Sequence, residues 1–203
     1  MKLRILVWLL LVFVMAFAVL SAESLLTQKS LAQKTLRLHV VANSDSEEDQ
    51  AQKLRVRDAV LKASSTLTQE CKTAEQAQKV LAEHLPALRA AAEETLRAEG
   101  SAAAVAVSIG TETFATRRYD TFTLPAGDYP SLRVRIGAAQ GHNWWCVIFP
   151  TLCTAAGSDA VRQCAAVGGY TQDEAELVTG GESEYVLRFK ALEWLQSIKR
   201  WFS

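Results

Sequence analysis

Leu36-Arg37-Leu38-His39-Val40-Val41-Ala42-Asn43-Ser44-Asp45-Ser46-Glu47-Glu48-Asp49 decides the architecture, because its character changes half-way along. From Leu36 to Ala42 apolar residues alternate and end β-branched, the pattern of a strand. Leu36, Leu38, Val40 and Ala42 would face one way, and Arg37, His39, Val41 and Asn43 the other. The following residues carry helix-start chemistry. Ser44 or Ser46 can accept the first free N–H groups of a helix, and the acids complement its positive end. That capping role accounts for the 43–45 turn without a bound cation. Ala51, Leu54 and Leu61 on one flank, with Val56, Val60, Ala63 and Leu67 on another, predict a helix to about residue 67 that is covered on more than one side.

Working downstream, Thr73 is placed to cap a second helix reaching about residue 97, with Ala77, Leu81, Leu85, Leu88, Ala92 and Leu96 in one stripe. Pro86 lies inside it and predicts a kink or break over 82–86. His84, at the margin of the stripe, reads as a packed or surface histidine rather than a ligand. Past Gly100 the period shortens. Residues 102–109, 112–122, 131–136 and 144–149 read as strands, with Gly110-Thr111 as a hairpin turn and 124–130 as a compact loop. A short helix is expected over 158–167. An amphipathic one is expected over 183–202, with Ala191, Trp194, Leu195, Ile198 and Phe202 on one side. Helices segregated from a run of antiparallel strands define an α+β fold. The expectation is a single domain, an antiparallel sheet with helices packed on one side.

Upstream, residues 5–20 are sixteen positions without a polar side chain, preceded by Lys2 and Arg4. As a helix the run spans roughly 24 Å, short of the ~30 Å hydrocarbon core. A basic start, an apolar run and then Ser21, Ala22 and Ser24 give the layout of a secretory signal, either cleaved after Ala22 or kept as an anchor. Residues 1–24 are thus expected to be a signal peptide or membrane anchor, and 25–203 one α+β domain. The 203 residues hold 22 Lys and Arg against 22 Asp and Glu. Losing Lys2 and Arg4 with the leader tips the balance to acidic, so no nucleic-acid partner is expected.

The richest chemistry lies in Gly137-Ala138-Ala139-Gln140-Gly141-His142-Asn143-Trp144-Trp145-Cys146-Val147-Ile148-Phe149-Pro150-Thr151-Leu152-Cys153. One reading is a cysteine hydrolase of cell-wall peptide, with Cys146 as nucleophile, His39 or His142 as base and Asn143 orienting it. On a strand, His142 and Cys146 would lie about 13 Å apart, which leaves His39 to supply the base. Another is zinc held by His142, Cys146 and Cys153 with Cys164 or His39, although six residues separate Cys146 from Cys153 and no C-x-x-C occurs. A third is a Cys146–Cys153 disulfide across the Phe149-Pro150 bend, closing a loop worth about 2 kcal/mol, with Cys71 and Cys164 free or paired. The plain alternative is reduced cysteines packed as small hydrophobes. No phosphate loop, dinucleotide fingerprint, zinc-protease helix or nucleophile elbow occurs, and no carboxylate pair sits alone in an apolar setting. No catalytic residue, metal ligand or cofactor is therefore expected. The last helix carries Trp194, Trp201 and Phe202 beside Arg188, Lys190, Lys199 and Arg200, which suits closing the sheet, a membrane surface or a partner.

The 36–46 stretch, with Glu48-Asp49-Gln50-Ala51 and residues 53–60, resembles the N-terminal signature of the stage II sporulation protein R family. Pro125-Ala126-Gly127-Asp128-Tyr129, Leu132-Arg133-Val134 and Ile136-Gly137 resemble its middle. Residues 141–150 with Leu152-Cys153 resemble its most distinctive block, except that Thr151 stands in place of a second proline. The resemblance covers roughly residues 35–153. It implies a non-catalytic messenger of endospore formation, made in the forespore and exported into the space between two membranes. There it would activate a membrane-embedded aspartic-type protease that processes the pro-form of the sigma factor sigma-E. Contact with the membrane would come only through the leader or the C-terminal helix. The expected contact patch is His142, Asn143, Trp144 and Trp145 with the Tyr129 loop, since aromatic side chains dominate interface energies. Two adjacent Trp on a strand face opposite ways, so at least one should be buried.

Overall fold

The structure, a computed structural model, describes residues 2–180; the helix expected over 183–202 lies outside them. In chain order the elements are α1 (Lys2–Gln33), β1 (Leu36–Val41), α2 (Glu47–Thr68), α3 (Ala74–Glu83), α4 (Leu85–Ala98), β2 (Val105–Phe114), β3 (Arg117–Arg118), β4 (Thr123–Leu124), β5 (Gly127–Ile136) and β6 (Asn143–Phe149). A 3-10 turn (Leu152–Thr154), α5 (Ser158–Val167) and α6 (Gln172–Thr179) follow. The fold is α+β.

Four strands form the main sheet in the order β2-β5-β1-β6, and β3 and β4 form a separate two-stranded ribbon. Two of the main pairings are antiparallel, as expected, but β1 runs parallel to β5, from Arg37 beside Ser131 to Val41 beside Arg135. A parallel pair needs a long crossover, and the three helices between β1 and β2 supply the length. The alternation read from the sequence sets the faces. Leu36, Leu38 and Val40 join Leu132, Val134, Ile136, Cys146 and Ile148 in one cluster with Val56, Val60, Leu81, Leu88 and Leu96 from α2, α3 and α4.

The helices begin and end where local chemistry dictates. Ser46 caps α2, its Oγ accepting the Asp49 N–H at 3.2 Å. The predicted break in the second helix is real: α3 stops at Glu83, α4 starts at Leu85, and Pro86 occupies its first turn. There proline costs nothing, since its missing N–H would have had no helical acceptor. α6 has no counterpart in the sequence reading. Its signal was present, because Thr171 and Glu174 form a reciprocal capping box.

Two turn assignments are corrected. Gly110-Thr111 is not a hairpin but the middle of β2, which pairs with β5 along all ten residues. The apparent break is a change in which face carries the apolar residues. Val105, Val107 and Ile109 pack toward the helices, whereas Phe114 packs on the opposite face with Tyr129. The 124–130 loop is likewise half strand, since β5 begins at Gly127. Pro130 is tolerated because β1 pairs only with residues 131–135, so β5 has a single neighbour at that point.

The second face is covered by the end of α1, the β3–β4 ribbon, α5 and α6. Leu31, Phe122, Leu124, Val147, Leu152, Val161 and Tyr170 pack there. Helices therefore lie on both faces, three of them on the side expected. The helix expected to be a leader continues past residue 24 to Gln33. Its end is tied down by Lys34 Nζ to Glu174 Oε2 at 2.7 Å and by Thr35 Oγ1 to Tyr170 Oη at 2.6 Å. Its apolar first half is exposed. Among the described residues no helix is long and apolar enough to cross a membrane.

Candidate functional site at the free edge of the sheet

β6 is an edge strand, and along its open side runs a cleft of about 810 Å³. One wall is α2 with Arg57 and Leu61, and the other is the β3–β4 ribbon with Arg117 and Tyr119. Trp144 and Trp145 stand between them, and Cys146 and Cys153 lie in its floor. The two Trp diverge as strand geometry requires. Trp144 turns toward α2 and is 38% exposed, with the Arg57 guanidinium 4.5 Å from its ring centre. Trp145 is half-buried. It stacks on His39 at 5.6 Å and receives Arg117 on its other side at 3.5 Å.

Beneath Trp145 the stack continues through His39 to Phe114 at 6.5 Å and on to Tyr129 at 5.9 Å. Tyr129 is fully buried and donates its hydroxyl to the Pro125 carbonyl. Its ring therefore supports the patch from below. Arg37, also fully buried, lays its guanidinium over Phe114 at 3.8 Å and Tyr129 at 4.9 Å. Its Nη2 donates to the Tyr119 hydroxyl at 3.0 Å, while Nε and Nη1 have no partner among the described residues.

His142 and Asn143 sit at the mouth of the cleft, where two loops lock together. Asn43 Oδ1 accepts the Ala138 N–H, and the Asn43 and Ala42 carbonyls accept Gln140 N–H and Gly141 N–H. Asp45 Oδ1 accepts both the backbone N–H and the Nδ1 of His142, and Lys53 Nζ of α2 donates to the His142 carbonyl at 3.0 Å. The 43–45 turn thus does more than cap a helix. Ser46 provides the cap, and Asn43 and Asp45 hold a loop almost a hundred residues away. Single-sequence reading had no access to that pairing, because each side chain has a sufficient local explanation.

Asp49 belongs to the same lock. Hydrogen bonds from the Ser44 hydroxyl and the Asn43 amide hold its carboxyl below the usual range. A carboxylate held low in the folded state stabilises the fold above its unfolded pKa, near 4, and this contribution is lost as the pH falls through the folded value. Asp49→Asn should therefore be less stable than the parent at pH 7. The gap should narrow as the pH falls below about 4 in denaturant titrations; a gap independent of pH would remove the carboxylate from this role.

The hydrolase arrangement is not assembled. His39 projects from the face opposite Cys146, and its two ring nitrogens are held by Glu112 Oε1 at 2.9 Å and Asn143 Oδ1 at 2.7 Å. His142 faces Asp45, and His84 bonds the Val80 carbonyl from an exposed position. Nor does the zinc set gather: among the described residues no group of three or more His, Cys, Asp or Glu could hold a metal. All four cysteines are free thiols, with Cys146 buried and Cys153 half-buried. Cys71 packs beside the helix-face cluster and Cys164 on the opposite side of the sheet, so nothing brings those two together.

The lock joins the segments 43–49 and 137–143, and a family model spans both. The model for stage II sporulation protein R (spore_II_R) matches residues 32–159. The chain belongs to that family. It is also similar to stage II sporulation protein R of Bacillus subtilis, with 38% identity over 120 residues. The match covers 59% of this chain and 54% of that protein, so the chain spans about half the length of its curated relative. No solved structure matches it. Membership in the stage II sporulation protein R family implies a role in sporulation. The matched residues take in the main sheet, α2 to α4 and every side chain of the cleft named above.

Proposed function

We propose that the protein is an exported signal of endospore formation that activates a membrane-embedded aspartic-type protease, which then processes the pro-form of sigma-E. Activation of this kind needs no chemistry from the messenger, only tighter binding to the cleavage-competent state of the protease than to the idle one. Family membership is the observation that carries the reading. The contact surface is the mouth of the cleft: His142, Asn143 and Trp144, with Trp145 holding the strand from behind. Trp144 suits an anchor because it is large, exposed and already ordered by Arg57, so little side-chain freedom is lost on docking.

Residues 5–20 serve as the export leader or an anchor, with Lys2 and Arg4 kept on the cytoplasmic side. Cleavage after Ala22 would leave the docked end of α1 in place, since the buried residues described in it begin at Ser24. The test is co-expression with the protease and its pro-sigma substrate in a host that does not sporulate. Trp144→Ala should keep its circular dichroism and thermal midpoint yet lower processing by tenfold or more, the scale of a central aromatic anchor. Undiminished processing would remove Trp144 from the contact.

A further inference from the structure

We infer that Cys146 and Cys153 are a disulfide-forming pair that closes covalently across the corner between β6 and the 3-10 turn. Among the four cysteines these are the two that meet. Both line the floor of the cleft and pack in the helix-face cluster. Both also lie against the backbone of Val147, with Cys146 Sγ 3.8 Å from its carbonyl and its N–H donating to Cys153 Sγ at 3.1 Å. Cys164, the nearest competitor, instead receives the Thr151 hydroxyl at 3.9 Å. Although Cys146 is buried from the bulk, both cysteines line the cleft, which gives a small oxidant a way in.

The surroundings favour exchange chemistry. The hydrogen bond from Cys153, with the charges of Arg57 and Arg37, draws the Cys146 thiol below its usual range, whereas Cys146 and burial push Cys153 up. The oxidant is a disulfide, either low-molecular-weight or carried by a thiol oxidoreductase. One thiolate of the pair attacks a sulfur of that disulfide and expels its other sulfur as thiolate, leaving a mixed disulfide. The second protein thiol gives its proton to solvent, attacks the protein sulfur of the mixed disulfide and expels the remaining oxidant thiolate. Two electrons pass to the oxidant, which leaves as two thiols. The bond pins the end of the strand that carries Trp144 and Trp145.

The experiment uses the full chain purified in detergent and held native, exposed to glutathione disulfide and then alkylated, digested and mapped by mass spectrometry. The expected product has lost two of its four titratable thiols and yields a peptide linking residues 146 and 153. Cys71→Ser/Cys164→Ser should form the same link. Retention of all four thiols, a link from Cys153 to Cys164, or only glutathione adducts would overturn the assignment. The peptide map of the parent protein is decisive even if a Cys153→Ser variant fails to fold. None of these readouts depends on the protease partner, so their failure leaves the proposed function standing and its failure leaves them standing.

Discussion

Tyr129→Ala should destabilise the protein by about 4 kcal/mol, a loss typical of deleting a fully buried aromatic ring. The side chain is sealed at 0% exposure between Phe114 and the Arg37 guanidinium. Removal opens a cavity under the sheet and strips one of the two aromatic faces from a buried cation, which desolvation then penalises. Tyr129→Phe separates ring from hydroxyl. It keeps the packing and forfeits the bond to the Pro125 carbonyl, at a cost of about 1 kcal/mol. Equilibrium unfolding in urea measures both. Equal losses for the two variants would show that the hydroxyl, not the ring, holds this part of the fold.

Gly141→Ala should cost about 3 kcal/mol, at the upper end of overpacking penalties. A Cβ at Gly141 would collide with the backbone carbonyl of Ser44, and backbone cannot swing away as a side-chain tip would. Relief requires separating the two loops, which also gives up the Gly141 N–H bond to the Ala42 carbonyl and those beside it. The equilibrium constant for folding should fall roughly a hundredfold or more. Because the lock carries His142 and Asn143, processing of the sigma factor in the co-expression assay should fall with it, even at temperatures where the variant stays folded. Gly110→Ala is the matched control, since nothing lies within 4 Å of the Cβ it would add. A Gly141 variant as stable as this control would show that the loops are not held where the structure places them.

These two sites mark the boundary of what the sequence could disclose. β1 and the start of α2 were legible because period and capping chemistry both act within a few residues. The break at His84 was legible because proline's demands are local. β2 was misread as two strands because its apolar residues change face at Gly110-Thr111, and only the ten-residue partner in β5 explains why the strand continues. The parallel pairing of β1 with β5 was invisible for the same reason, since register depends on distant residues. At the candidate site, the residue types were found but their roles were not. Trp145 and Tyr129 drew notice as aromatic contacts, yet both belong to a stack that includes His39 and Phe114. The buried cation of Arg37 gave no signal at all, because an arginine on an alternating strand ordinarily points to solvent.

The central position of β1 in the sheet has a consequence for how the chain acquires its structure. The first strand to be synthesised is flanked by two of the last, β5 and β6, some ninety or more residues later. α2, α3 and α4 can coil from local contacts as they emerge. Leu36–Val41 has no strand partner until the segment ending at Ile136 arrives. Folding is therefore late and all at once, dominated by long-range closure, and slow for the chain's size. A chain threaded outward amino-end first would spend that interval with its central strand unpaired, which makes the passage itself the moment of greatest risk of aggregation.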